Sequence, residues 1–292
     1  MLNINHLIPE IENNRLVFWI GSGISRMAGC YSWGDIESEL ARADHMKERH
    51  LDELSNQPLP QRLSYCRDVY AEHNRKMQFF ALLRKAVIWD DEKYKRAYMP
   101  FLKAFNLLPS IPPILTTNGD ACFVKSEMFD ESKIYKDVSQ FIPANLLPGS
   151  IFHMHGYCDT DDALNETFCD EGYKKKYRDE RFKRFLLDVA INRTVLFLGS
   201  GVSEQVYLDI FLDAKTQNGE KEPKHCALLP THEVESKSTL VDFFKQRYNI
   251  ELIGYGDVSK LTEEWTSWIR SNFVAKRELS EQAPIAEKLD NG

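Results

Sequence analysis

The sequence predicts an α/β fold: a mostly parallel sheet with helices on both faces and an inserted helical lobe. Three observations on the 292 residues lead there. Short apolar runs have strand length, glycine-rich turns directly follow two of them, and stretches of helical periodicity lie between. Alternating strands and helices favour a parallel sheet whose strands are covered on both sides.

The first expected strand is Leu16 to Ile20, which breaks at Gly21-Ser22-Gly23. Helical spacing begins near Trp33 and continues through Ile36 and Leu40. Up to about Phe105 the three- and four-residue steps persist, as in Leu63, Cys66, Val69 and Tyr70, then Phe79, Phe80, Leu83 and Val87. That is too long for one crossover helix, so residues 34–108 are assigned to the lobe. Strand character returns at Pro113 to Thr116, Ile134 to Val138 and Ile151 to Met154. A polar helix is expected from Glu180 to Ala190. Thr194 to Leu198 then forms a strand, Gly199 to Gly201 a turn, and Val206 to Phe211 the opening of a helix. Strands at His225 to Leu229 and Glu251 to Ile253 flank a further helix. The last helix, Leu261 to Phe273, carries Trp265 and Trp268 as packing residues, and 279–292 reads as a flexible polar tail. The whole, 1–292, is expected to be a single domain.

Composition narrows the functional classes. The formal net charge is −7, which gives no positive case for nucleic-acid binding, a task that draws on basic surface. Lys174, Lys175, Lys176 and Arg178 are flanked by Asp170, Glu171, Asp179 and Glu180, and so read as a solvated helix face. No apolar run is long enough to span a bilayer and the N-terminus does not read as a secretion signal, so a cytoplasmic protein is expected. The six cysteines, Cys30, Cys66, Cys122, Cys158, Cys169 and Cys226, contain no C-x-x-C pair. Reduced, mostly buried thiols are expected, with no zinc lobe and no metal.

Four strand-end loops can carry chemistry, because ligands of such sheets bind outside the carboxyl ends of the strands. Gly21-Ser22-Gly23-Ile24-Ser25 would let backbone amides approach a phosphate, although a simple turn has the same appearance and a third glycine is missing. Thr116-Thr117-Asn118-Gly119-Asp120 has a competing explanation as a capping turn. His153 and His155 follow the short apolar pair Ile151-Phe152; a lone histidine is more often structural than catalytic, and at most one of the two is expected to point into a site. Gly199-Ser200-Gly201-Val202-Ser203 is a second glycine turn, in which Ser200 could equally be a helix cap.

In order and spacing, GSGIS, AGCYSW (Ala28 to Trp33), TTNGD, HMHG and LFLGSGVSE resemble the sirtuin superfamily from Leu16 to Tyr255, with HCALLP (His225 to Pro230) similar to a late core strand. The resemblance implies a Rossmann-like sheet and NAD as substrate. Protein-deacylating sirtuins usually carry four zinc-binding cysteines after the HG motif, whereas that interval here holds only Cys158 and Cys169. The TTN-D and GSGVSE forms look like the sirtuin-like domains of bacterial anti-phage systems, which deplete NAD in abortive infection. An acidic residue often found shortly after the TTN-D aspartate has no counterpart, since Cys122, Phe123 and Val124 fill that stretch.

The resemblance implies an NAD glycohydrolase that releases nicotinamide and ADP-ribose. Gly21, Ser22 and Gly23 would cradle the pyrophosphate, with Ser25 near the next helix. Asn118 would orient the nicotinamide ribose or the attacking water, Asp120 would support it, and His155 would be the general base. Gly199, Ser200 and Ser203 would line the adenosine side. Thr117 and Trp33 join the binding set, although packing under the first loop is the weightier role for Trp33. His153 is assigned to structure. A toxic activity needs restraint, so self-association and a regulatory partner are expected, a HerA-type ATPase ahead of a short Argonaute protein. Two other outcomes stay open: a non-catalytic NAD or ADP-ribose sensor, and a deacylase or ADP-ribosyltransferase.

Overall fold

Both faces of the central strands are apolar, and the sheet is consequently covered on both sides. The computed structural model describes residues 2–42, 54–158, 160–202, 204–219, 223–236, 238–257, 260–275 and 277. Its strands are β1 (Leu16–Ile20), β2 (Ile114–Thr116), β3 (Ile134–Tyr135), β4 (Ile151–His153), β5 (Thr194–Leu198), β6 (His225–Pro230) and β7 (Ile250–Tyr255). They form one sheet in the order β3-β4-β2-β1-β5-β6-β7, and every pairing is parallel. Leu16, Phe18, Ile20, Leu196 and Leu198 feed one core cluster. Val17, Trp19, Val195 and Phe197 feed the other. This is the period-two alternation of a strand expressed on two buried faces.

The first face is covered by the N-terminal turns, by the segment holding Tyr94, Tyr98, Phe101 and Phe105, and by the last helix with Trp265 and Trp268. The second is covered by the helices Glu180–Asn192 and Gln205–Asn218. The Glu180–Asn192 helix, polar by expectation, is amphipathic: Phe182, Phe185, Leu186 and Val189 are buried on its inner side.

The lobe has its own core. Helices α1 (Trp33–Ala41), α2 (Leu59–Glu72) and α3 (Lys76–Val87) contribute Ile36, Leu40, Leu63, Cys66, Phe79 and Leu83. A second chain segment completes it with Leu164, Phe168 and Cys169. That segment holds two helices not anticipated from the sequence, α4 (Asp161–Phe168) and α5 (Asp170–Arg178). The Thr160 hydroxyl accepts the Ala163 amide at 3.1 Å and starts the first of them. Residues 94–105 pack on the sheet rather than in the lobe.

Two further differences have local causes. The strand expected over Ile134 to Val138 ends at Tyr135, because the Asp137 carboxylate accepts the Ser139 amide at 2.7 Å and turns the chain into a 3-10 turn. The basic run on α5 is not uniformly solvated. Lys174, Lys175 and Arg178 are exposed, whereas Lys176 is half-buried and burial lowers its pKa. The stretch 279–292 lies outside the described residues.

Trp265 is fully buried, stacked on Trp268 at 5.6 Å and edge-on to Phe18 at 5.7 Å. Trp265→Ala should lower unfolding free energy by about 3–5 kcal/mol. Phe243→Ser, at a position 44% exposed, should stay within about 0.5 kcal/mol. Denaturant midpoints at constant slope check both.

Candidate functional site

Register brings the functional loops to one edge. Ile20 stands opposite Thr116 on one side and Leu198 on the other; Thr116 stands opposite His153, and Leu198 opposite Leu228. The residues after these positions therefore emerge together at the carboxyl ends of the strands. From β1 the chain runs to β2 on one side, and it later returns to β5 on the other. The crevice at such a reversal is where doubly wound sheets bind ligands.

The two glycine loops meet there backbone to backbone. The Gly21 amide donates to the Leu198 carbonyl at 2.9 Å, and the Gly23 amide to the Gly199 carbonyl at 2.9 Å. A Cβ on Gly21 would lie 2.6 Å from the Gly199 oxygen, and one on Gly199 would lie 2.6 Å from the Ile24 nitrogen. Gly199 also has φ +63°, which favours glycine. The amides of Gly21 and Gly23, read from the sequence as a phosphate cradle, are thus engaged in joining the loops. Val202 holds φ +46°, a conformation that costs a β-branched residue on the order of 1–3 kcal/mol and that recurs at functional sites.

The TTNGD turn hangs from this junction. Asn118 Nδ2 donates to the Gly21 carbonyl at 3.0 Å and to Ser25 Oγ at 2.6 Å. Ser25 Oγ donates to Asp120 Oδ2 at 2.5 Å, and Asp120 Oδ1 accepts the Cys122 amide at 3.0 Å. Because the Gly21 carbonyl can only accept, the Asn118 amide has one possible orientation. Both its donors are then used, and its buried Oδ1 has no protein partner. That oxygen keeps an unused capacity to accept a hydrogen bond.

Two cavities flank the junction. The larger, about 780 Å³, is lined by Gly21, Ser22, Trp33, Thr117, Gly199 and Ser200, by the Asn56–Gln61 segment, and by Tyr173, Glu204 and Tyr207. Its size falls within the roughly 300–1,000 Å³ of small-molecule sites. The smaller, about 20 Å³, is lined by Ser22, Ser25, Cys30, Trp33, Asn118 and Asp120 among others. Ser22 and Trp33 belong to both walls, so the two spaces adjoin.

His155 lines neither. It is buried behind Trp33, ring to ring at 6.3 Å, and its Nε2 faces the Tyr177 hydroxyl at 2.6 Å and the Tyr207 hydroxyl at 3.2 Å. Burial lowers its pKa to about 3; Lys176 pushes the same way, and the Thr117 backbone opposes. His153, the last residue of β4, lies ring to ring with Phe123 at 6.4 Å, and its pKa is lowered to about 4, again mainly by burial. The Tyr177 and Tyr207 hydroxyls bond each other, and Tyr173 donates to Glu204 at 2.5 Å. Burial raises the Glu204 pKa. Trp33 is both the packing residue expected and a cavity wall. Ser200 Oγ accepts the Val202 amide at 3.4 Å. Ser203 lies outside the described residues.

The sequence reading missed the three tyrosines and Glu204. Tyr173 and Tyr177 are four residues apart on α5, which puts them on one helix face, but no local pattern ties them to Tyr207. Among the described residues, one group has metal-ligand chemistry, Cys30, Asp120 and Cys122, all buried. Cys158 and Cys169 are not part of it.

No curated protein matches the chain significantly. Residues 112–253, from just before β2 into β7, match the SIR2-like domain family. The match covers the Asn118, His155 and Gly199 loops and supports a sirtuin-like domain, of a kind that in general uses NAD in enzymatic reactions.

Proposed function

We propose that this chain is an NAD glycohydrolase that cleaves the bond between nicotinamide and ribose, giving nicotinamide and ADP-ribose. The observation that carries the proposal is the unpartnered Oδ1 of Asn118, a residue that lines the small cavity adjoining the large one over a topological switch point. The large cavity would take the adenosine and pyrophosphate, and the small chamber would adjoin the nicotinamide ribose. As nicotinamide leaves with its bonding electrons, positive charge develops on the ribose carbon, and water adds there. Asn118 Oδ1 would orient the ribose or that water, while Ser25 and Asp120 hold the amide in place.

His155 is neutral at working pH, as a general base must be, yet Trp33, Tyr173 and Tyr207 stand between it and the cavity. That burial favours one second reading, a chain that binds NAD or ADP-ribose without turning it over. For the hydrolase, the wider role proposed is NAD depletion in anti-phage defence, restrained by self-association and a partner protein, an ATPase of the HerA type ahead of a short Argonaute. No described helix is long and apolar enough to cross a membrane.

Asn118→Ala should cut NAD turnover by about 10²-fold or more with the melting temperature little changed. Chromatography of nicotinamide and ADP-ribose measures the effect, with and without the genomic neighbour. Turnover that survives in both Asn118→Ala and His155→Ala would sink the reading, and NAD binding without products would move it to the sensor.

The pH dependence follows from the buried histidines. Folded pKa values near 3 and 4 mean that kcat/KM should show no acid limb near 6.5. Stability behaves differently. An unfolded histidine titrates near 6.5, so between about 6.5 and 3 the unfolded chain binds more protons than the folded one. Unfolding free energy is therefore fully present above 6.5 and falls as the pH drops through that window. Denaturant midpoints at pH 7.5, 6 and 5 should decline, and His153→Gln with His155→Gln should flatten the decline.

A further inference from the structure

Cys30 and Cys122 are separated by 92 positions in sequence, yet their sulfurs lie 4.0 Å apart in the buried floor beneath the Asn118 turn. Each of the three ligand atoms in the group formed by Cys30, Asp120 and Cys122 is within 4.8 Å of the others. The sulfur separation discriminates between two uses of such a pair. A disulfide needs its sulfurs at about 2.05 Å, so this pair would have to close by roughly 2 Å. A tetrahedral ion with metal–sulfur bonds of about 2.3 Å holds two thiolates roughly 3.8 Å apart, which is nearly the spacing present. Two thiols and one carboxylate form a donor set suited to soft or borderline divalent cations, zinc in particular, and poor for magnesium or calcium.

Cys30 and Asp120 also border the 20 Å³ chamber that holds Ser25 and Asn118. A space of that size accommodates one water-sized ligand and gives the group a route for an ion.

We propose that Cys30, Asp120 and Cys122 bind one thiophilic divalent cation, with zinc as the probe, and that its binding shuts the adjoining site. Each thiol releases its proton to solvent as its sulfur binds the ion, the Asp120 carboxylate supplies an oxygen, and Ser25 Oγ or a water fills the fourth position. The oxidation states of sulfur and metal do not change. Asp120 would then be drawn from Ser25, and Asn118 would lose the hydroxyl that anchors its amide. The binding claim stands on the cluster alone. Only the inhibitory consequence rests on the proposed hydrolase.

The test uses the full chain, reduced and freed of metal. Cobalt(II) titration should show one equivalent per chain, with a thiolate-to-metal charge-transfer band in the near ultraviolet and tetrahedral visible bands that zinc displaces. Cys30→Ser and Cys122→Ser should each weaken cobalt and zinc binding at least tenfold, while Cys66→Ser and Cys226→Ser should leave it unchanged. Melting temperatures establish that each variant is folded, and either cysteine variant alone carries the test if the other is unstable. Thiolate bands that persist in both Cys30→Ser and Cys122→Ser, or no such band in the parent chain, would overturn the site. In the activity arm, zinc should inhibit NAD turnover by the parent and not by Cys122→Ser. Metal binding lost in the variants, with no NAD turnover in any chain, would keep the site and reject the hydrolase instead.

Discussion

The site depends on one contact, the meeting of two glycine loops at the ends of β1 and β5. Neighbouring parallel strands in register bring their carboxyl ends together, but side chains would ordinarily keep the following turns apart. Here Gly21 and Gly23 approach Gly199 so closely that a single added carbon would overlap backbone atoms. Such clashes with backbone cannot be relieved by turning a side chain. The contact leaves the Gly21 carbonyl facing β2, where it accepts the Asn118 amide and fixes which atom of that amide stays open. Ser25, three residues beyond Ser22 at the end of the short helix Ser22–Ser25, is delivered to Asp120 by that helix. The large cavity is then the space the joined loops cannot fill.

The sheet was legible in the sequence because its strands are buried on both faces. Continuous apolar runs such as Leu16–Ile20 and Thr194–Leu198 match their strands residue for residue, and the glycines mark where each ends. The edge strand β3 was less legible, because its limit depends on one carboxylate capping a turn rather than on hydrophobicity. The helices over 161–178 were hidden by their charge, since only a few residues such as Leu164, Phe168 and Tyr177 are buried on them.

Site residues divide in the same way. Motif positions near strand ends were found, because a parallel sheet obliges those loops to meet. Contacts between separate segments were not found. The bond between Tyr177 and Tyr207 spans 30 positions and the approach of Cys30 to Cys122 spans 92, and no spacing rule reaches so far. The role of the glycines was only half visible. Their freedom to make tight turns is a local property, whereas their use as a seam between two loops belongs to the folded chain.

In the proposed hydrolase, burial would set the division of labour between Asn118 and His155. A histidine whose only charged neighbour of consequence is Lys176 gains nothing electrostatically from accepting a proton, and losing water costs its charged form more. Such a base is weak, so it cannot supply most of the driving force for activating a water. Leaving-group departure from NAD needs less of that than acyl chemistry does, because the positive charge forms before the nucleophile must be deprotonated. What the proposed reaction would need first is a fixed, desolvated oxygen near the ribose, and Asn118 Oδ1, held by its own amide bonds, would provide one at little reorganisation cost. In the proposed hydrolase His155 would act as a late acceptor reached through the hydroxyl of Tyr207, a residue that both touches the imidazole and lines the cavity. On that argument the tyrosines would belong to the proposed mechanism, and the depth of His155 would be compatible with it.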